Sequence, residues 1–263
     1  MREDDARSLV EQRQRAREAR DYRRADELRD RIAALGFDVL DTPEGPELVP
    51  AAAPPAEVSV LVDLEGWPED AARFLASLDR HRGDRDVEVV PANQGPDLGF
   101  GAAQNRALAN AGGNLVVLVD TSLELTGDLL GALVGALDDP TVAVAGPFGL
   151  ATSDLRDYEE RMAGDVAAVQ GYCLAARRND LVSVDGFRES FAFYRNADID
   201  LSLRLRTLGG EVRRAIAVGA GQCRRHLHRA WEATPAAERD ELSRQNMRRV
   251  LNRFRGRTDL FVP

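Results

Sequence analysis

Leu115-Val116-Val117-Leu118-Val119-Asp120 is the most apolar run of the chain, and it ends on a carboxylate. Five apolar residues, β-branched at three positions, read as a buried strand. Around it the pattern alternates. Val58–Val62, Val87–Val90 and Val142–Ala145 read as further strands, and helical periodicity runs over 69–78, 101–111 and 129–137. Strands alternating with helices predict an α/β domain: a mainly parallel sheet with helices on both faces. Ligands of such sheets bind outside the carboxyl ends of the strands. Asp63, Asn93 and Asp120 all follow strand ends, so they face the expected site.

Further out, the N-terminal 35 residues carry no Pro or Gly and read as an antiparallel pair of amphipathic helices. In the second helix Ala25, Leu28, Ile32 and Leu35 recur at helical spacing, with Asp21 as N-cap and Gly36 as C′ residue. Phe37–Leu40 is strand-like and Thr42-Pro43-Glu44-Gly45 a turn. Pro50-Ala51-Ala52-Ala53-Pro54-Pro55-Ala56 is a stiff linker. The expected organisation is a hairpin module over 1–49, the linker over 50–56 and the α/β domain over 57–263.

With 263 residues and 44% apolar content, the chain can bury a sizeable core. No apolar run reaches the roughly 20 residues of a membrane span. The charged N-terminus carries no secretory core, so the expected compartment is the cytoplasm. The two cysteines, Cys173 and Cys223, are expected to be small core residues rather than a disulfide pair or metal ligands. A formal charge of −9 disfavours nonspecific binding to nucleic acid or anionic lipid. Every basic residue other than histidine is arginine.

Four segments can carry chemistry. In Asp97-Leu98-Gly99-Phe100-Gly101-Ala102-Ala103-Gln104-Asn105-Arg106 two glycines precede a helix, permitting close approach of a ligand or, equally, close packing of helix on sheet. Asp120-Thr121-Ser122 places a carboxylate where it can hold a divalent cation, or merely cap a turn. Asp198 and Asp200 stand at the start of a helix, where the dipole favours acids and where Asp198 can act as a general base. His226 and His228 are two of three histidines; at i, i+2 on an extended segment they point oppositely, so at most one shares a site with Asp120.

Together and in this order, the segments resemble family 2 glycosyltransferases of the GT-A fold. The glycine loop is similar to that family's N-L-G-F-x-x-A-x-N. Gly171-Tyr172-Cys173-Leu174-Ala175-Ala176-Arg177-Arg178 with Asp185-Gly186-Phe187-Arg188-Glu189 resembles its acceptor-side stretch. Ala197-Asp198-Ile199-Asp200-Leu201-Ser202-Leu203-Arg204-Leu205 resembles its E-D-x-D-L-x-x-R-L, and a histidine closes its catalytic core. The resemblance implies an inverting transfer from a nucleoside-diphosphate sugar to an acceptor hydroxyl. It implies Asp198 as the base, and a donor site from Asp63, Asn93, Gly99, Gly101, Asn105 and Asp120. Arg177 and Asp200 fall on the acceptor side. A divalent metal, Mn²⁺ or Mg²⁺, falls to Asp120 with His226 or His228. The chain departs from the family at Ser122, which stands for a second acid, at Ala197, which stands for a glutamate, and at Asn93, which stands for an aspartate. Only Gln94, Gly95 and Pro96 separate Asn93 from the glycine loop, where the family inserts a helix and a strand. A non-catalytic GT-A scaffold with a degenerate donor site is the alternative.

Residues 9–48 resemble the C-terminal segment of cysteinyl-tRNA synthetases, through Arg13, Ala16, Arg17, Asp21, Tyr22, Ala25, Asp26, Leu28, Arg29, Asp30, Gly36 and Asp41-Thr42-Pro43-Glu44-Gly45. That segment belongs to the tRNA-contacting end of those enzymes, and an RNA-associated protein is the third reading. Residues 1–35 hold 10 Arg against 9 acids, so the electrostatic case for RNA is poor and a structural hairpin, or one that docks a protein partner, is favoured over tRNA binding.

Overall fold

The computed structural model describes residues 2–19, 21–35, 37–42, 45–50, 56–95 and 98–263. The chain divides into two compact units, Met1–Pro54 and Pro55–Pro263. Gly36, Pro43, Glu44, most of the Pro/Ala linker and Asp97 lie outside the described residues.

The first unit pairs α1 (Arg2–Glu18) with α2 (Tyr22–Ala34), followed by the antiparallel hairpin β1 (Phe37–Thr42) and β2 (Gly45–Pro50). Leu9, Val10, Ala16, Ala25, Leu28, Ile32 and Val39 close its core. Asp21 caps α2 by accepting from the Arg24 N–H at 3.1 Å. Arg13, itself buried, grips Asp41 through two bonds of 2.9 and 3.1 Å, and Arg17 joins the same carboxylate. These partners, Arg13 first, hold the Asp41 carboxyl far below the usual carboxylate range.

The second unit begins with β3 (Val58–Val62), α3 (Pro68–His81), β4 (Val87–Pro91), α4 (Phe100–Asn110), β5 (Leu115–Val119), β6 (Leu123–Leu125), α5 (Leu129–Leu137) and β7 (Val142–Gly146). Four short strands follow: β8 (Gly149–Ala151), β9 (Glu159–Arg161), β10 (Gly164–Val166) and β11 (Ala168–Val169). It ends with β12 (Cys173–Arg177), α6 (Arg178–Ser183), α7 (Ala197–Arg206), β13 (Arg214–Ala217), β14 (Cys223–Arg225), α8 (Arg229–Ala233) and α9 (Ala236–Phe254). The main sheet has the order β10-β13-β7-β12-β5-β3-β4. Its parallel strands are interrupted by β12, which runs antiparallel to both β5 and β7.

Period-2 alternation divides the strands between two cores. Val58, Val60, Val62, Val117 and Val119 face Phe74 and Leu78 of α3 and Leu130 and Leu133 of α5. Leu61, Val116 and Leu118 face the opposite layer with Ile199, Leu203 and Leu205 of α7 and Val250 and Phe254 of α9. Helix α3 shows why it forms: Pro68 opens it, Glu69 and Asp70 occupy its first turn, and Ala71, Phe74 and Leu78 make its buried stripe. Helix α7 is buried almost all round, and both its arginines find partners inside, Arg204 through Asp200 and the Val184 carbonyl with one terminal nitrogen left without a partner. Arg206 donates to the carbonyls of Ala167, Leu260 and Arg213 at 2.9, 3.0 and 3.1 Å. Cys173 belongs to the core as expected; Cys223 is only half-buried. Among the described residues no helix is long and apolar enough to cross a membrane.

Candidate functional site

A cavity of about 650 Å³ opens at the carboxyl ends of β3 and β5. Asp63, Asp120, Asp198 and His228 line it, together with Trp67, Gln94, Tyr158, Tyr172, Tyr194 and Trp231. The topology explains the gathering. β5 delivers Asp120, and β14 pairs with β6 in the register Leu123↔Arg225, so the segment after β14 returns over the Asp120 turn. The His226 N–H donates to the Ser122 carbonyl at 2.7 Å and fixes that return.

The two histidines part as the extended spacing requires. His228 Nε2 lies 3.4 Å from Asp120 Oδ2. His226 Nε2 lies 2.7 Å from Glu124 Oε2 and does not line the cavity. The His226 bond is the main cause holding the Glu124 carboxyl below its ordinary value. The His228 ring stacks on Tyr194, with centroids 4.7 Å apart and planes 18° apart, and its Nδ1 accepts from the Trp231 N–H at 3.2 Å. That bond puts the proton of the neutral ring on Nε2, toward Asp120.

Asp198 lines the same cavity. Its Oδ2 accepts from the Gly171 N–H at 2.8 Å and its Oδ1 from the Ile199 N–H at 2.9 Å. Burial pushes its carboxyl above the ordinary aspartate value, against these N–H groups and the Arg195 charge. The loop that brings it in is tied down. Asn246 of α9 donates to the carbonyls of Phe193 and Arg195, both at 2.8 Å, and Asn196, in the left-handed region at φ 66°, donates to the Ser243 carbonyl at 3.0 Å. Tyr158 and Gln104 each line the cavity with a buried side-chain oxygen that has no partner. Asn246 was unmarked because its partners are distant in the chain, and Tyr158 and Gln104 because nothing local shows that they reach the cavity, although Gln104 lies within the glycine-loop stretch.

Six expected site residues are placed elsewhere. Asn93 Oδ1 accepts from the Leu64 N–H at 2.8 Å, and Gln94 lines the cavity in its stead. Asn105 is bound to the backbone of Phe187 by two bonds of 2.7 Å. Gly99 and Gly101 answer to packing: a Cβ at Gly99 would stand 2.8 Å from Ala192 Cα, and one at Gly101 2.4 Å from the Arg188 carbonyl. The first N–H groups of α4, which an anion would need, already donate to Ala192 and Phe191 at 2.9 and 3.0 Å. Arg177 pairs across from Leu115, at the opposite end of β5 from Asp120, and donates to the carbonyls of Val142, Asp139 and Leu137. Asp200 is buried on α7 and accepts from Arg204 at 2.7 Å. With His226, these residues hold the scaffold and do not border the cavity. Asp63 does border it, with Oδ1 accepting from the Glu65 and Gly66 N–H groups at 3.0 Å.

The donor set for a metal can be tested on this geometry. Two ligands about 2.1 Å from one cation stand roughly 3.0–3.4 Å apart; Asp120 Oδ2 and His228 Nε2 are 3.4 Å apart. Among the described residues no group of three or more His, Cys, Asp and Glu could hold a metal ion, and the Ser122 hydroxyl is buried without a partner. The pair fits a metal as half a site, completed only by oxygens of a ligand. Ligation through Nε2 would also require the ring to move its proton and release Trp231.

Residues 3–45 match the cysteinyl-tRNA ligase anticodon binding domain. There the chain is 54% identical over 39 residues to the cysteine–tRNA ligase of Solidesulfovibrio magneticus, covering 15% of this chain and 8% of that protein. It is 49% identical over 43 residues to that of Syntrophotalea carbinolica, 16% of this chain and 9% of that one. The chain therefore spans only a small part of the length of these relatives.

Three solved structures are similar in fold. The mannosyltransferase PcManGT of Pyrobaculum calidifontis, solved with GDP-Man and Mn²⁺, matches with a TM-score of 0.54 and 19% identity over 96% of this chain and 76% of that one. GalNAc-T7, solved with UDP, GalNAc and Mn²⁺, gives 0.55 and 12% over 77% and 48%. A mutant Drosophila β1,4-galactosyltransferase 7, solved with manganese, UDP-Gal and xylobiose, gives 0.51 and 15% over 71% and 79%. The second unit has the fold of GT-A glycosyltransferases. The N-terminal segment matches the tRNA ligase module.

Proposed function

We propose that residues 57–263 form an inverting glycosyltransferase, joined through the 50–56 linker to the 1–49 module. The observation that carries this reading is that one cavity collects Asp198 together with the Asp120–His228 pair. Asp198 takes the proton of an acceptor hydroxyl; the oxygen attacks the anomeric carbon of a nucleotide-activated sugar, and the bond to the diphosphate breaks on the opposite face. A carboxyl raised by burial is a stronger base than an exposed one, which suits that role.

Asp63, Asp120, Asp157, Glu160 and Asp198 outnumber Arg156 and Arg195 in the lining, so a diphosphate needs added positive charge there. A divalent cation held by Asp120, His228 and diphosphate oxygens would supply it by neutralising the departing diphosphate. An imidazole donor favours Mn²⁺ over Mg²⁺.

The experiment is a transfer assay on Asp198→Asn. Loss of turnover with nucleotide binding retained supports the reading, and near-normal turnover removes Asp198 as base. The half-complete metal site favours a second reading, a non-catalytic scaffold on the same fold; it takes over if nucleoside diphosphates do not bind with Mn²⁺ present.

The N-terminal module serves on this account as a docking hairpin for a protein partner. The engagement of Arg13 and Arg17 with Asp41 leaves less free positive charge for RNA. A gel shift with transfer RNA at physiological salt checks this, since retention would restore the RNA reading.

A further inference from the structure

A second cavity of about 250 Å³ lies between the 154–156 loop and the end of α9. Its apolar lining is Leu155, Leu251, Phe254 and Phe261, and four arginines stand around it: Arg156, Arg248, Arg255 and Arg257. Residues 248–257 contain five arginines and no acid, in a chain whose net charge is −9. The end of a helix attracts cations, which accounts for some of them. It does not account for their encircling a cavity, nor for Arg156, which comes from a different segment. Arg257 is paired with Asp259 at 2.7 Å. Asp154, the one acid in the lining, stays ionised: the Asp157 and Arg156 N–H groups donate to it at 3.0 and 2.7 Å and hold its carboxyl below the usual value, and its charge offsets one guanidinium, that of Arg156. The guanidinium groups of Arg156, Arg248 and Arg255 have no hydrogen-bond or ion-pair partner among the described residues. Asp154 and Glu241 attract Arg156 and Arg248 without a direct bond, and among the described residues Arg255 has no such acid; arginines lining one concavity repel one another, and an anion among them relieves that repulsion.

Arg156 lines this cavity and the larger one that holds Asp198. We infer that the arginine-rimmed cavity binds a phosphate group carried by the acceptor, so that a hydroxyl of the same molecule reaches Asp198. The assignment to the acceptor rests on the transfer reading; the anion site itself does not. Guanidinium forks match phosphate oxygens, and the apolar floor suits the carbon skeleton beside the phosphate.

The test is calorimetric titration of inorganic phosphate into the full chain and into Arg248→Gln/Arg255→Gln. Both residues are exposed, so the double variant should melt with the wild type. Phosphate should bind the wild type and bind the variant at least about tenfold more weakly, as expected for loss of charge-assisted bonds. Absence of binding, or equal affinity in the two proteins, overturns the inference. Glucose 6-phosphate and vesicles containing phosphatidic acid separate the sources: preference for the first supports a soluble phosphorylated acceptor, preference for the second a lipid headgroup, and either supports the site only if the variant loses it. Nucleoside diphosphate binding with Mn²⁺ is measured alongside. If it fails while phosphate binding and its loss persist, the transfer reading falls and the anion site stands.

Discussion

The two sides of the main cavity are built differently. Asp198 is held by two backbone N–H groups, and the loop leading to it is tied to α9 by Asn246 and Asn196. The Asp120 carboxylate accepts one backbone bond, from the Ser122 N–H at 2.8 Å, and has one imidazole facing it at 3.4 Å. The Asp198 side is preorganised by the protein alone, whereas the Asp120 side, on the reading proposed above, is half a metal site that a ligand must finish. Substitutions on the first should therefore change the rate, and those on the second the metal dependence of binding.

The largest expected effect is on turnover. Asp198→Asn should lower kcat by a factor of about 10²–10⁴, the usual contribution of a general base, with nucleotide affinity unchanged in a binding assay. The pH profile sharpens this. With the Asp198 carboxyl raised by burial, kcat/KM should begin to fall with decreasing pH above the ordinary aspartate value. The stability effect has the opposite sign to a salt-bridged acid. The native state binds the Asp198 proton more tightly than the unfolded chain, so this group's contribution is full below the unfolded pKa and is lost as pH rises through the folded one. At neutral pH Asp198→Asn should consequently melt no lower than wild type.

Next in size is the support of the Asp198 side. Asn246→Ala removes both donors to the 193–195 carbonyls and should cost about 1–3 kcal/mol in denaturant unfolding, with kcat reduced and nucleotide binding spared. If kcat is unaffected, the preorganisation argument fails. Asp120→Ala should have little effect on the melting of the ligand-free protein but should abolish any Mn²⁺ dependence of nucleotide binding. His226→Gln, whose ring faces Glu124 instead, should leave that dependence in place. The smallest effect is expected on removing residues 1–56: a chain over 57–263 should unfold cooperatively near the wild-type temperature, because both large cores lie within it.

How much of this was legible in the sequence follows from the range of each interaction. The strand Leu115–Val119 and helix α5 were readable to the residue because apolar runs and periodicity are local signals. The placement of Asp120 outside a strand end followed from the same pattern, and so did the opposite orientation of His226 and His228. The antiparallel β12 was not visible, since strand direction depends on chain crossings. The glycine loop misled for a similar reason. Gly99 and Gly101 are small because the 188–192 loop presses on them, and the sequence cannot distinguish a backbone neighbour from a phosphate. Asn105 and Arg177 looked functional by position and serve instead to pin Phe187 and the 137–142 turn.

On the proposed reading the Asp120 side of the cavity receives a nucleoside diphosphate together with a divalent cation. Calorimetric titration of both legs tests it most directly. Mn²⁺ alone should bind weakly, a nucleoside diphosphate should bind more tightly with Mn²⁺ than without it, and Mn²⁺ should tighten by the same factor when the nucleotide is present, since linkage is reciprocal. Failure of nucleoside diphosphates to bind at millimolar concentration in the presence of Mn²⁺ would contradict the claim and leave the fold as a scaffold.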